Sequence, residues 1–338
     1  MRPDTTRTAA TGDEAVAGLE FTLNRRSVLA AGLAAMGGAA GGGSAGAATQ
    51  PFGQRHGLPI GLQLYTLGPD AQKDLDGTLA AVSKIGYRAI ELAGLLGRTA
   101  PEMKAAMDRA GLVCTSAHIQ GRAMGSQSFG GDLGKLADDL NVIGVKSAVM
   151  PLFYIPDRFE LKPNPGEDGP AFLSRLVGQM TVDDWKWNAD FLNKKGEALK
   201  AAGIAVGYHN HNNEFAPLGD TTPMDILLQE TDPSLVTFEM DAGWVTAAGR
   251  DPFELLKTHK GRFTLMHVKD IKPTTQANFA LKQDPTEVGS GMIDWKKLLP
   301  AAYAAGVRQF FVEQEPPFPG ARIDSVKVSY DYLAGVTA

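Results

Sequence analysis

The chain has a single cysteine, Cys114, in 338 residues. It sits within the apolar run Leu112–Cys114, so it reads as a small buried hydrophobe. One thiol makes no disulfide framework and no cysteine-based zinc site. Positive charge is also scarce, with 33 Lys and Arg against 38 Asp and Glu, a net charge of −5. After the first fifty residues no basic block appears, which argues against nucleic acid and anionic membranes as partners. No apolar run is long enough to be a stable membrane anchor. The first strand is followed by no Gly-x-Gly-x-x-Gly, which weighs against a dinucleotide fold.

The N-terminal stretch has little that would build a core. Asn24-Arg25-Arg26-Ser27-Val28-Leu29 is a twin-arginine pattern, followed by a weak Ala/Gly/Met run to about Ala40 and by Ala45-Gly46-Ala47, a small-residue cleavage site. Residues 1–48 are therefore expected to be an export signal and linker, and the mature protein to be periplasmic. Residues 49–338, about 290 in all, suit one large α/β barrel.

A recurring phrase supplies the architecture: the end of a helix, then Gly, then an apolar run. It appears at Ile85-Gly86-Tyr87, Ala110-Gly111-Leu112, Ile143-Gly144-Val145, Ala202-Gly203-Ile204 and Ala305-Gly306-Val307. Glycine ends helices readily because it adopts the left-handed conformation. Eight strands are expected, around Ile60–Thr66, Ala89–Leu92, Val113–His118, Lys146–Met150, Ile204–Asn210, Leu235–Met240, Phe263–Val268 and Gln309–Glu313. Short buried strands alternating with helices form a parallel sheet, and eight units predict a closed (β/α)8 TIM barrel. Phe153–Gly169 and Lys272–Asp294 are expected to be long irregular loops on the catalytic face. Trp185, Trp187 and Trp244 are candidates for flat sugar-binding faces or for packing.

The expected strand ends carry ionisable pairs two residues apart, which share a strand face. The organising stretch, Gly207-Tyr208-His209-Asn210-His211-Asn212-Asn213-Glu214-Phe215, offers His209 and His211. Later strands offer Glu239 with Asp241, His267 with Lys269, and Glu313 with Glu315. In a barrel, chemistry gathers at the C-terminal ends of the strands.

These residues resemble the xylose isomerase-like superfamily of TIM barrels, which includes sugar isomerases and epimerases, inosose dehydratase and an apurinic-site endonuclease branch. The resemblance rests on Tyr208-His209-Asn210-His211 with Glu214-Phe215, Met240-Asp241-Ala242-Gly243-Trp244, His267-Val268-Lys269-Asp270, Gly289–Trp295 and Val312-Glu313-Gln314-Glu315. It implies one divalent ion held by His209 or His211, Asp241, His267 and Glu313. A mixed nitrogen and carboxylate set suits Mn²⁺, Co²⁺, Zn²⁺ or Fe²⁺ better than Ca²⁺. The implied chemistry is loss of a C–H proton beside a sugar carbonyl through an enediolate.

In that chemistry Glu313 is both ligand and base, Lys269 binds a substrate oxygen or acts as acid, and His211 moves a proton. His118, Glu91, Glu239, Trp244 and Glu315 are candidates for holding substrate. The superfamily's epimerases carry a glutamate on the fifth strand, where this chain has His209 and His211, the pattern of the dehydratase branch; Glu214 is a partial substitute from the next loop. The expected activity is a metal-dependent isomerase or epimerase of a non-phosphorylated sugar or keto-sugar. The alternatives are a lyase or dehydratase of a keto-sugar or 3-keto-glycoside, and a carbohydrate-binding protein without turnover. Neither the substrate nor the oligomeric state, a homo-oligomer included, follows from the sequence.

Overall fold

The computed structural model describes residues 50–122 and 127–337. The twin-arginine segment lies outside them. Among the described residues no helix is long and apolar enough to cross a membrane.

Eight parallel strands close on themselves in the order β1-β10-β7-β6-β5-β4-β3-β2. They are β1 (Gly61–Gln63), β2 (Ala89–Leu92), β3 (Val113–His118), β4 (Ser147–Met150), β5 (Ala205–His209), β6 (Val236–Asp241), β7 (Phe263–Val268) and β10 (Gln309–Val312). Two further short strands, β8 (Asp270–Ile271) and β9 (Pro285–Thr286), pair antiparallel above the barrel. The (β/α)8 expectation is met, with each predicted stave present.

The glycines of the repeated phrase do what their position suggests. Gly111 and Gly144 close their helices at φ of 66° and 103°, a region that costs residues with a Cβ. The helices themselves are capped by side chains. Thr99 with Glu102, and Thr181 with Asp184, form reciprocal capping boxes, each satisfying amides that the first turn leaves without partners.

Two expectations change in detail. The first strand stops at Gln63, because the Gln63 side chain accepts a hydrogen bond from the Tyr65 amide (3.0 Å) and starts a short 3-10 turn over Leu64–Leu67. Of the two long loops, Phe153–Gly169 is irregular up to its last residue, as expected, and Lys272–Asp294 is partly regular. Gly169–Val177 is a helix following the fourth strand, and the β8–β9 ribbon organises the segment after the seventh.

The barrel interior is layered, as successive inward residues along a strand rise by about 6.6 Å per two residues. Ala89, Val149, Leu265 and Phe311 form an apolar plug inside it. Two residues beyond Ala89, Leu265 and Phe311 come Glu91, His267 and Glu313, so polarity begins immediately above the plug. The helices cover the outside with a continuous apolar core.

Candidate metal centre

The ends of β5, β6, β7 and β10 bring together donor atoms of His209, Asp241, His267 and Glu313, all within 4.8 Å of one another. His211 is not in that group. It lines the pocket above, with its ring 5.0 Å from that of His209 and 5.5 Å from that of Trp244.

Each member is held by local structure. Asp241 caps the helix Ala242–Ala247 by accepting from the Trp244 amide through Oδ1 (2.8 Å). Its Oδ2 accepts no hydrogen bond, although it is buried and the Lys269 ammonium lies 2.9 Å away. This oxygen also faces His267 Nδ1 at 3.7 Å and His209 Nε2 at 3.9 Å, so two imidazole nitrogens and the ammonium converge on it. Gly243 is required here, because a Cβ would lie 2.8 Å from Lys269 Cγ and 2.9 Å from Lys269 O.

The two histidines are oriented from below. His209 Nδ1 faces Glu239 Oε2 at 3.0 Å, which leaves Nε2 directed at Asp241. His267 Nε2 faces Glu91 Oε2 at 2.7 Å and Glu239 Oε2 at 3.1 Å, which leaves Nδ1 for Asp241 and Glu313. Carboxylates behind ligating imidazoles fix the tautomer and raise basicity. Glu91 is itself held by Gln63 (2.8 Å) and by a short bond from Ser116. Glu91 and Glu239 are fully enclosed, so they reach the pocket only through the histidines.

His118, His209, Glu239 and His267 form a second cluster that is also compact enough for an ion. Its ring nitrogens already have carboxylate partners, with His118 Nε2 at 2.9 Å from Glu239. Each cluster holds one buried carboxylate oxygen without a hydrogen bond, Glu239 Oε1 below and Asp241 Oδ2 above. The upper group has the mixed donor set and opens on the pocket through His209 and Glu313, so it fits a cation. Two imidazoles and two carboxylates match Mn²⁺, Co²⁺, Zn²⁺ or Fe²⁺.

Charge is arranged to match. Burial pushes the Glu313 carboxyl up, but Lys269 and His267 overcome it and hold Glu313 well below its usual range. Burial pulls His267 down, yet Glu239 and Glu313 keep it protonated well above its ordinary value. That proton is the species a cation displaces on binding. Burial, with His267 beside it, holds His209 well below its ordinary value and neutral, and burial with Lys269 lowers His211 to about 4. Glu239 is raised to about 7 by burial and by Glu91.

Lys269 is completely buried, 2.9, 2.8 and 2.6 Å from Asp241, Glu313 and Glu315. Burial opposes its charge, but those three carboxylates raise its pKa well above the ordinary value. It therefore stays an ammonium, and it is Glu313 and Glu315 that line the pocket.

The pocket over this centre has a volume of about 830 Å³, and His118, His209, His211, Trp244, Glu313 and Glu315 all line it. Trp185 is fully buried against Phe153, a core residue and not a sugar platform. Trp187 lies outside, exposed and stacked on Phe191. Glu214 is enclosed, accepting from Tyr208 Oη (2.7 Å) and the His211 amide (2.9 Å). It fixes the His-Asn-His turn and has no free face toward the pocket. Tyr65, just past β1, lines the pocket unforeseen; its place at a strand end was the available signal.

Asp270 explains the distant Gly289–Trp295 motif. Its Oδ2 accepts from the Gly289 amide (2.9 Å), the Gly291 amide (3.2 Å) and Trp295 Nε1 (2.9 Å). Oδ1 accepts from the amides of Ile271 (3.0 Å) and Ile293 (3.3 Å). A Cβ on Gly291 would stand 2.1 Å from Oδ1, so the motif needs glycine to close over the carboxylate.

A converging set of strand-end histidines and carboxylates beneath an open pocket on a (β/α)8 barrel defines a class, and comparison identifies it. Residues 79–330 match the model of the xylose isomerase-like TIM barrel, and the chain belongs to that family. An inosose dehydratase of Geobacillus thermodenitrificans is 30% identical over 160 residues, 44% of this chain and 52% of the relative. The chain thus spans about half the length of this curated relative. A sugar phosphate isomerase/epimerase structure from Parabacteroides distasonis shares 26% identity at a TM-score of 0.63, covering 87% of this chain and 96% of that one. The E. coli 3-keto-D-glucoside 4-epimerase is alike in fold, at 17% identity and a TM-score of 0.57, covering 82% and 98%.

Proposed function

We propose that the protein is a divalent-metal-dependent enzyme that removes a proton beside the carbonyl of a non-phosphorylated sugar or keto-sugar. The observation that carries this reading is the meeting of His209, Asp241, His267 and Glu313 within 4.8 Å below the pocket. A cation bound there supplies Lewis-acid stabilisation of charge on the substrate's oxygens. Glu313, ionised and lining the pocket, takes the proton. His211, a neutral imidazole on the pocket wall, contacts the substrate as a hydrogen-bond partner, and the proton taken up by Glu313 is the one returned to the substrate. Trp244 offers an apolar face for the sugar ring, and His118 and Glu315 meet its hydroxyls. Lys269 holds Glu313 and Glu315 in place and balances their charge. Glu91 and Glu239 support the ligands from below.

After proton loss the outcome is elimination or isomerisation. With Glu214 locked by Tyr208 and the His211 backbone, there is no fifth-strand carboxylate to exchange a proton on the opposite face. That favours a lyase or dehydratase, in keeping with the relative named for inosose dehydration. The isomerase/epimerase name of the Parabacteroides structure supports the other outcome.

Keto-sugars incubated with the Mn²⁺-loaded protein in D₂O test the shared step. Deuterium should enter at the carbon beside the carbonyl, or elimination should appear, and Glu313→Gln should abolish both. Sugar binding with neither would mean a carbohydrate-binding protein. The Arg25-Arg26 pair supports export to the periplasm. Cell fractionation should find the mature chain there, and Arg25→Lys with Arg26→Lys should retain it in the cytoplasm.

A further inference from the structure

The pocket is larger, and more apolar on one side, than a single sugar ring needs. At about 830 Å³ it falls near the top of the roughly 300–1,000 Å³ range for pockets that enclose a drug-sized molecule. Its lining divides by strand. His209, His211, Glu313 and Glu315 come from the ends of β5 and β10. The loops after β2 and β4 contribute Leu95, Pro151 and Leu152, and the helix Gly169–Val177 contributes Pro170 and Leu173, an apolar patch that shares this side of the pocket with Arg98, His118, Gln120 and Gln127. In the closed strand order β2 stands across the barrel from β6, and β4 across from β10. The apolar patch therefore lies across the cavity from Glu313, Glu315 and Trp244, while His209 and His211, at the end of β5, stand beside β4.

The apolar wall is built firmly. Gly169, Pro170 and Leu173 share a helix face at i, i+1 and i+4 and look into the pocket. Leu176, on another face, is 1% exposed and packs into the body. Asp168 caps this helix through the Ala171 amide (2.8 Å), and Arg175 grips Glu167 at 2.7 and 2.9 Å. Leu152 and Leu173 remain half-buried, with their free surface toward the cavity. A hydroxylated ring laid on leucine and proline would lose water from its hydroxyls and gain no partner. An apolar group loses nothing there and gains burial.

We propose that this wall is a subsite for an aryl or alkyl group joined to the sugar, so that the substrate is a sugar conjugate rather than a free monosaccharide. The inference rests on the sugar reading of the metal end. It assigns Leu152 and Leu173 as specificity-determining residues that make no contact with the reacting atoms.

Calorimetry on the Mn²⁺-loaded protein with matched methyl and phenyl glycosides of glucose and galactose tests it. The phenyl member of a pair should bind at least tenfold more tightly than the methyl member. In Leu173→Asp and in Leu152→Asn that ratio should fall below threefold while methyl glycoside affinity stays unchanged, which also shows that the variants fold. Equal affinities within a pair for the wild type would overturn the subsite and leave the sugar reading standing. A preference surviving in both variants would overturn the assignment to this wall. Binding of no glycoside at all would overturn both readings.

Discussion

Asp270→Asn is a nearly isosteric change that should be severe. The carboxylate is fully buried and accepts from five donors, three through Oδ2 and two through Oδ1. An asparagine has one acceptor and one NH₂ group in the same place. In the better orientation its oxygen replaces Oδ2 and serves Gly289, Gly291 and Trp295. Its NH₂ then faces the amides of Ile271 and Ile293, donor against donor. Leaving two buried N–H groups without acceptors, at about 1–3 kcal/mol each, predicts a loss of about 2–6 kcal/mol. The loss is concentrated where Gly289–Trp295 is tied down to the end of β7. Urea unfolding followed by circular dichroism measures the total. Limited proteolysis between Lys272 and Asp294 reports the local part, which should show faster cleavage in the variant. A change below about 0.5 kcal/mol, near the level of an ordinary surface substitution, with unaltered cleavage would refute this account of the motif.

Glu239→Gln keeps the shape but weakens the support behind His209 and His118. Competition with a fluorescent chelator should show metal affinity falling about 10–100-fold with the circular dichroism spectrum unchanged; unaltered affinity would remove Glu239 from its supporting role. The Asp184 carboxyl is held at about 2 by the Arg158 hydrogen bonds, against the effect of burial, with help from Thr181. Because this lies below the unfolded value of about 3.9, the ionised pair contributes its full stability above about pH 5 and loses it as pH falls through 4 toward 2. Arg158 is half exposed, so the contribution is about 1 kcal/mol. The stability difference between wild type and Asp184→Asn should therefore be present at pH 7 and shrink toward zero near pH 2. A difference constant with pH would contradict it.

The barrel was legible because its signals are local. Gly86, Gly111 and their counterparts mark each helix end, and the apolar runs after them are too short to be anything but buried strands. The roles of the carboxylates were harder. Period two shows that Glu239 and Asp241 share a face, but not that two residues along an inward-facing strand change depth by about 6.6 Å. That step turns Asp241 into a member of the upper cluster and Glu239 into the prop beneath it. The same spacing separates His267 from Lys269 and leaves His211 on the pocket wall above His209. Depth depends on the stagger of neighbouring strands, which pairing establishes and one sequence does not display. Leu173 left still less trace, since it reaches the pocket from a helix, Gly169–Val177, that begins where the loop Phe153–Gly169 ends and that no motif marks.

Metal analysis by mass spectrometry tests the central claim most directly, on purified protein dialysed against trace Mn²⁺, Co²⁺, Zn²⁺ and Fe²⁺. The wild type should retain near-stoichiometric divalent metal, and Asp241→Ala and His267→Ala should each lose most of it while Trp187→Ala keeps it. A wild type that retains only trace metal, or variants as fully loaded as the wild type, would contradict the claim that these strand ends hold one ion.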